Sequence, residues 1–218
     1  MLQGMQSKVD LSSGRLPRLI AVGRIAIVLV AGLALPARGQ TPTPIYPGKY
    51  PFTPAAVQFI TGMISHHAQA IVMAGWAPTH GASPSVRTLC ERIINAQTDE
   101  ITLMQNWLRD RHQPVPDAKA APMKMMMDGA EHEMLMPGML TDEQMKQLNQ
   151  ASGSEFDRLF LRLMIQHHQG ALTMVQQLFA TPGAGQDESV FKFASDVSAD
   201  QSTEIDRMQK MLITLLGK

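Results

Sequence analysis

The chain contains one segment twice, at a spacing of 101 residues. Seven residues of the first copy recur unchanged in the second copy. In the first copy they are Phe59, Met63, Ile64, His66, His67, Ala70 and Met73. In the second copy they are Phe160, Met164, Ile165, His167, His168, Ala171 and Met174. This agreement predicts a duplicated fold, so the two halves are expected to share one local structure.

Five of the repeated residues in the first copy alternate spacings of four and three, which is the period of one helix face. They are Phe59, Met63, His66, Ala70 and Met73. The Thr-Pro pair at 53–54 and the Ser-Pro pair at 83–84 are helix-start signals, because the hydroxyl residue caps the helix and proline suits its first position. They predict one helix to about residue 76 and a second helix to about residue 111. The short turn between them makes an antiparallel hairpin.

The second helix recurs as well, at a spacing of 104 residues. Its repeated residues are Gln97, Glu100, Ile101, Met104 and Leu108, and their copies are Gln201, Glu204, Ile205, Met208 and Leu212. The sequence thus divides into a first hairpin over residues 53–112, a crossover over 113–152 and a second hairpin over 153–218. Neither hairpin can cover its own apolar face, so the pair favours an all-α four-helix bundle. The long crossover is typical of a ferritin-like fold.

The segment before the first hairpin differs from the rest in composition. Residues 1–39 combine scattered arginines, an apolar run at 25–35 and small side chains before a cleavage position after Gly39, which is typical of a secretory signal peptide. Residues 40–52 are rich in proline and predict an extended leader. The chain is therefore expected to be exported, to the periplasm or to the medium. The apolar run is shorter than the roughly 20 residues that a membrane span requires. No stable span is expected after cleavage, and the alternative is an uncleaved signal that anchors the chain.

The net charge of the chain after the signal peptide and its cysteine and methionine counts exclude some classes of function and favour others. Residues 1–39 hold five of the 19 basic and one of the 19 acidic side chains, which leaves 14 basic and 18 acidic side chains and a net charge of −4. No basic tract remains, so nucleic-acid binding is not expected. Cys90 is the single cysteine, which excludes an internal disulfide. Fifteen of the 17 methionines follow the signal, and thioether sulfur is a soft donor suited to Cu(I).

The repeated helices present the candidate metal ligands. His66 shares the core-facing side of its helix with two methionines, while His67 is rotated by about 100° toward a neighbouring helix or the solvent. A carboxylate such as Glu100 can fix the tautomer of an imidazole or bind a metal beside it. With their copies, the candidates are His66, His67, Met63, Met73, Glu100, Met104, His167, His168, Met164, Met174, Glu204 and Met208.

The crossover supplies a second group of candidates. Its methionines lie among proline, glycine and charged residues, where packing demand is expected to be low, so their clustering favours capture of a soft metal. These accessory candidates are Met123, Met125, Met126, Met127, His132, Met134, Met136 and Met139. A short helix is expected from Thr141 to Asn149.

Three functions remain open from the residues alone. The first is copper binding through methionine and histidine, with the metal ion alone or a metal-delivery protein as the partner. The second is a di-iron oxidoreductase, which needs a Glu-x-x-His motif on two helices of the bundle, and the sequence contains no such motif. The third is a metal-free structural or interaction module, in which the His–Glu pairs are buried polar contacts and the methionines fill the core. No nucleophile or acid–base pair indicates an enzyme.

The motif Phe-x-x-x-Met-x-x-His-His-x-x-Ala, at residues 59–70 and 160–171, resembles that of the domain of unknown function 305 family. Its members are exported, ferritin-like proteins, and the resemblance extends over residues 53–216. Some members are associated with copper binding and copper resistance, so the resemblance implies a similar role here.

Further features of the same resemblance lie outside the motif. They are the Met-Pro-Gly-Met sequence at 136–139, the expected short helix at 141–148 and the Phe156-Asp157 pair before the second copy. The first copy departs from the pattern, because it has Ala55-Ala56 where the second has Phe156-Asp157.

Overall fold

A computed structural model describes residues 52–127 and 130–216, all of which belong to one unit spanning residues 44–218. The elements in chain order are α1 Pro54–Gly75, α2 Pro84–Asp110, β1 Met123–Met127, β2 Ala130–Met134, α3 Asp142–Gln150, α4 Gly153–Ala180 and α5 Glu188–Leu216. The expected signal peptide and all but the last residue of the expected leader lie outside the described residues. Among the helices of the described ranges, none is both long enough and apolar enough to cross a membrane.

The two helices of the first hairpin start in different ways, and the second start connects it to the second hairpin. In α1 the Thr53 hydroxyl accepts a hydrogen bond from the Ala56 backbone at 3.1 Å, as expected of a capping residue. In α2 the side chain of Ser83 makes no capping bond. Instead, the buried carboxylate of Asp157 in α4 accepts from the Ser83 backbone N–H at 3.1 and 3.3 Å. Asp157 therefore ties the first hairpin to the second, and this cross-link stands where the first copy has only Ala56.

The four long helices bury two apolar clusters, one toward each end of the bundle. The lower cluster joins residues 56–68 of α1 to 101–108 of α2, 171–178 of α4 and 190–197 of α5. The upper cluster joins the other halves of the same four helices. This pairing of first and second halves makes α1 parallel to α5 and α2 parallel to α4. The chain must therefore travel the length of the bundle between α2 and α4, which is the role of the crossover. The expected helical fold class is confirmed.

The crossover contains one feature that was not expected, a two-stranded antiparallel hairpin. Strand β1 pairs with β2 in a register that sets Met123 opposite Met134 and Met127 opposite Ala130. The short helix α3 follows, and it begins with a capping box. The Thr141 hydroxyl accepts a hydrogen bond from the Gln144 backbone N–H, and the Gln144 side chain accepts one from the Thr141 backbone N–H. The methionine run at 123–127 thus forms a β-strand.

Residues 136–140, which we call the strap, lie directly on α4. A Cβ atom at Gly170 would come within 1.9 Å of the Pro137 carbonyl oxygen, and one at Gly138 within 2.6 Å of the Gln166 carbonyl oxygen. Gly138 also has a positive φ of 77°, which side chains disfavour. On the α1 side, Gln69 donates to the Leu140 carbonyl at 3.0 Å and accepts from the Leu140 N–H at 2.7 Å. Gly170 stands at the repeat position of Gln69, so the duplication has diverged where the strap docks.

The strap contact yields a stability prediction. Gly170→Ala places a methyl group against the Pro137 carbonyl, so the strap must move away from α4, and the free energy of unfolding should fall by about 1–3 kcal/mol. Urea unfolding measures the change. Gly75→Ala is the matched control, because no atom lies within 4 Å of its added Cβ. That substitution should be neutral or stabilise the helix by up to about 1 kcal/mol. Equal stability of the two variants would contradict the strap contact.

Candidate metal centre

A layer of polar side chains crosses the middle of the bundle between the two apolar clusters. We call it the polar layer, and its members are His66, His67, Gln97, Glu100, His167, His168, Gln201 and Glu204. All four imidazoles have no exposed surface, and the two glutamines are also buried. Each of the four long helices contributes two members, so the repeat itself builds the layer.

Two histidines form the centre of the layer. The rings of His66 and His167 lie 3.8 Å apart between centroids, with a tilt of 39° between their planes. The Nε2–H of His167 donates to the backbone carbonyl of His66 at 3.0 Å. The Nε2–H of His66 donates to the Pro137 carbonyl of the strap, also at 3.0 Å. A carbonyl oxygen can only accept, so both rings must carry their proton on Nε2.

The other two histidines lie against carboxylates of the partner helices. The Nε2–H of His67 donates to Glu100 at 2.6 Å, and that of His168 donates to Glu204 at 2.7 Å. The two glutamate side chains each retain 17% exposure, so each carboxylate reaches from the buried imidazole toward the surface. Of the two directions that the sequence leaves open for His67 and His168, the structure shows the neighbouring helix.

The electrostatics of the layer keep its centre neutral. Burial, followed by the charge of neighbouring His67, lowers the pKa of His66 to about 3, and the Pro137 carbonyl offsets only part of this shift. Burial also holds the pKa of His167 well below its usual range, with His66 and His168 adding to the effect. At the rim, burial and then the carboxylates Glu100, Asp196 and Glu204 raise the pKa of Asp200. The rim therefore gathers carboxylates around a layer whose two central imidazoles are uncharged.

Several polar atoms of the layer lack a partner. The Nδ1 atoms of all four histidines are buried and have no hydrogen-bond partner among the described residues. The same holds for both amide atoms of Gln97 and for the side-chain oxygen of Gln201. Buried polar atoms are usually bonded, since an unmet group costs about 1–3 kcal/mol. In a neutral ring protonated on Nε2, Nδ1 carries a lone pair, so the layer contains buried nitrogen donors with a fixed tautomer.

The six candidate methionines of the long helices lie outside the layer, in the apolar clusters above and below it. The lower cluster contains Met63, Met104 and Met174, and the upper cluster contains Met73, Met164 and Met208. Each of these six thioethers is buried, so packing is one of its roles whatever else it does. Met63 and Met164, one helical turn before the central histidines, are fully buried.

The accessory candidates of the crossover divide into three groups. The side chains of Met123, Met125, Met126, Met127 and His132 lie outside the described part of the structure. Met134 is 47% exposed at the end of β2. Met136 and Met139 are buried in the lower cluster, so the expectation of low packing demand is wrong for these two. The docking of the strap on Gly170 carries them into the core.

The donor set fits a soft metal better than a hard one. Within the described ranges, no group of three or more His, Cys, Asp or Glu side chains is arranged to hold a metal ion. Cys90 adds no thiolate, because burial and nearby Asp157 raise the pKa of its thiol to about 12. What the layer offers is lone-pair nitrogen, flanked by thioether sulfur at one helical turn. Imidazole and thioether together suit Cu(I).

Sequence reasoning overlooked four contributors to this site. Gln97 and Gln201 are repeated but were not counted as candidates, although their recurrence was a usable signal. Gln69 was missed because Gly170 takes its place in the second copy, and that mismatch marks where the strap docks. The role of Pro137 rests on a backbone carbonyl, which no side-chain pattern reveals.

A helical bundle crossed by a layer of paired histidines is the feature by which this chain can be compared with known protein families. The family model described as "Domain of unknown function (DUF305)" matches residues 56–212. The chain therefore belongs to the DUF305 family, as its motif indicated. A curated relative, the "Uncharacterized protein L153" of Acanthamoeba polyphaga mimivirus, is 37% identical over 54 residues. That match spans 25% of this chain and 36% of the relative.

Solved structures share the fold. A putative secreted DUF305 protein from Streptomyces coelicolor is 27% identical, with a TM-score of 0.61 over 74% of this chain and 93% of that one. CopM in its Cu(I)-bound form is 28% identical, with a TM-score of 0.55, and its Cu(II)-bound form is 31% identical, with a TM-score of 0.56. Each CopM match covers 73% of this chain and 96% of CopM. CopM has also been crystallised with silver.

The neutral centre predicts a pH dependence of stability. Below the unfolded-state pKa of about 6.5, the unfolded chain binds protons at His66 and His167 that the folded chain does not. The contribution of the two histidines to stability is therefore complete above pH 6.5 and is lost as the pH falls below it, by about 1.4 kcal/mol per pH unit for each histidine. For His66 this loss continues to about pH 3. Urea midpoints between pH 7 and 4.5 measure the slope.

A variant comparison isolates these two groups. His66→Gln with His167→Gln should flatten the slope, because glutamine does not titrate. His112→Gln, at an exposed position, should leave the slope unchanged. A midpoint that stays constant between pH 7 and 4.5 in the wild-type protein would show that the rings are not held neutral.

Proposed function

We propose that this protein binds copper as Cu(I) through the imidazoles of the polar layer, and that it buffers copper outside the cytoplasm as part of metal homeostasis or resistance. One observation carries the proposal. All four histidines direct Nε2–H to a carbonyl or a carboxylate, while their Nδ1 atoms are buried and unpartnered among the described residues. Metal-binding histidines commonly donate their other ring N–H in this way, which fixes the ring and leaves the ligating nitrogen free.

The histidines, glutamates and methionines of the site would have different roles in copper binding. His66 and His167 would hold the metal at the centre through Nδ1, with His67 and His168 beside them. Glu100 and Glu204 orient the outer rings and increase the basicity of their free nitrogens through charge. Met63 and Met164 are the nearest repeated thioethers along α1 and α4. Because the central rings are neutral, copper does not have to displace protons there.

Two comparisons support copper over other metals. CopM, with the same fold, is known in Cu(I)-, Cu(II)- and silver-bound forms. A di-iron centre would need several carboxylates around each metal, and the layer provides one glutamate on α2 and one on α5. The secreted relative from Streptomyces coelicolor and the signal-like residues 1–39 support export.

A matched pair of variants tests the imidazole site. Glu100→Gln with Glu204→Gln preserves an acceptor for each Nε2–H but removes the charge, so affinity for Cu(I) should fall about 10-fold to 100-fold. Competition against a chromophoric Cu(I) chelator measures the change. Glu143→Gln on the exposed face of α3 is the control and should leave affinity unchanged.

The metal-free alternative predicts a different result. If the layer is only structural, neither Cu(I) nor Ag(I) will shift the imidazole NMR signals of the wild-type protein. Copper bound by the imidazoles should instead shift those signals and raise the unfolding temperature, in proportion to the logarithm of free metal above the dissociation constant.

A further inference from the structure

A cavity of about 430 Å³ lies below the polar layer, between the strap, the first half of α1 and the second half of α4. Three methionines from separate segments line it, Met134 of β2, Met136 of the strap and Met174 of α4. We call it the thioether cavity. Met134 is 47% exposed, so the cavity has an edge at the surface, whereas Met136 and Met174 are buried deeper.

The lining of this cavity selects for one kind of ligand. Besides the methionines it consists of apolar residues such as Phe59 and Leu178, with a few neutral polar ones. Within the described part of the chain, no charged side chain lines it. A strongly hydrated divalent ion gains little from such a surface, because oxygen ligands and charge are missing. A weakly hydrated monovalent soft ion gains three sulfur donors.

The cavity adjoins the polar layer at two points. Pro137 lines the cavity, and its carbonyl accepts the Nε2–H of His66. Along α1, the cavity residue Phe59 is followed by Met63 four residues later and by His66 three residues after that, which places all three on one helix face. Met63, which is fully buried, therefore stands along α1 between the cavity residue Phe59 and the central histidine His66, and it shares one apolar cluster with the cavity methionines Met136 and Met174.

We propose that the thioether cavity is a separate capture site for a soft monovalent cation, Cu(I) or Ag(I), and that it loads the polar layer by way of Met63. The transfer step rests on the proposed copper-binding function, whereas capture by the cavity does not. The strap gives the site its form, because Gly170 and Gln69 hold Met136 and Pro137 in place. The route serves the first copy of the repeat, since the strap carbonyl contacts His66 while His167 bonds a helix carbonyl.

Ag(I) is the probe, because it does not change oxidation state during the experiment. In the triple variant Met134→Leu, Met136→Leu and Met174→Leu, the protein should bind one equivalent of Ag(I) fewer than wild type. Loading of the polar layer, followed by the NMR signals of the imidazoles after rapid mixing, should slow about 10-fold or more. Met145→Leu with Met211→Leu is the matched control, because both thioethers pack elsewhere, against the upper cluster.

The methionine-to-leucine variants are expected to fold like the wild-type protein. Exchange of methionine for leucine conserves volume and costs less than about 1.5 kcal/mol per site. Met134→Leu alone changes a half-exposed side chain, and it should already weaken capture. Substoichiometric Ag(I) should shift the methyl signals of Met134, Met136 and Met174 before it shifts the imidazole signals.

The outcomes separate the two proposals. If the triple variant matches wild type in both stoichiometry and loading rate, the cavity is not a capture site, and imidazole binding is unaffected by that result. If Ag(I) shifts the methyl signals in wild type but never the imidazoles, the cavity stands and the imidazole site fails. If His66→Ala with His167→Ala abolishes every equivalent of Ag(I) in a folded protein, an independent cavity site is overturned.

Discussion

The polar layer is the constraint on which the rest of this bundle depends. It places four imidazoles without exposed surface between two apolar clusters, and their Nδ1 atoms find no partner among the described residues. Each such atom costs about 1–3 kcal/mol in a domain whose net stability is typically about 5–15 kcal/mol. The apolar clusters above and below must offset that cost. Conversely, a ligand that satisfies the Nδ1 atoms stabilises the folded state by its own binding free energy.

Duplication explains why the layer is nearly symmetric, and chain connectivity explains why it is not fully so. Because α2 and α4 are parallel, the crossover has to run along one side of the bundle. Its strap lies on α4 at Gly170 and is fixed from α1 by Gln69, which are the two copies of one repeat position. At this one position, the glycine in α4 leaves room for the strap backbone, and the glutamine in α1 holds the strap by hydrogen bonds. The two central histidines consequently bond different carbonyls.

The sequence predicted most of the helical framework, because spacings of three and four, proline at helix starts and a repeat at 101 and 104 residues act locally. The capping role of Thr53 is an example, since it depends on neighbours three residues away. Only some of the hydrogen-bond partners of the histidines could be predicted from the sequence. Glu100 and Glu204 were indicated by recurrence, whereas the Pro137 carbonyl contacts His66 across 71 residues through a backbone atom. Long-range contacts of this kind leave no periodic pattern.

The methionines show where compositional reasoning stops. Met136 and Met139 stand beside proline and glycine, which resembles a loop with little packing, yet both lie in the core. The same residues that suggest a loop, Pro137 and Gly138, are those that allow the backbone to approach Gly170 closely enough to bury them. In this part of the chain, packing and ligand chemistry therefore share one set of side chains. Met136 both fills the lower cluster and lines a cavity that opens beside exposed Met134.

A fully buried imidazole layer also creates a kinetic problem for any protein that exchanges metal. The rings have no exposed surface, so an ion can reach them only through the bundle or by local opening of it. The carboxylate rim at Glu100 and Glu204 offers charge but few soft donors, and it would attract many cations without distinguishing among them. In the proposed route, the thioethers are neutral and would select the ion by its softness before it arrives. Selectivity would then be set at the strap, and affinity would be set by the imidazoles, whose tautomers the strap and the carboxylates hold in place.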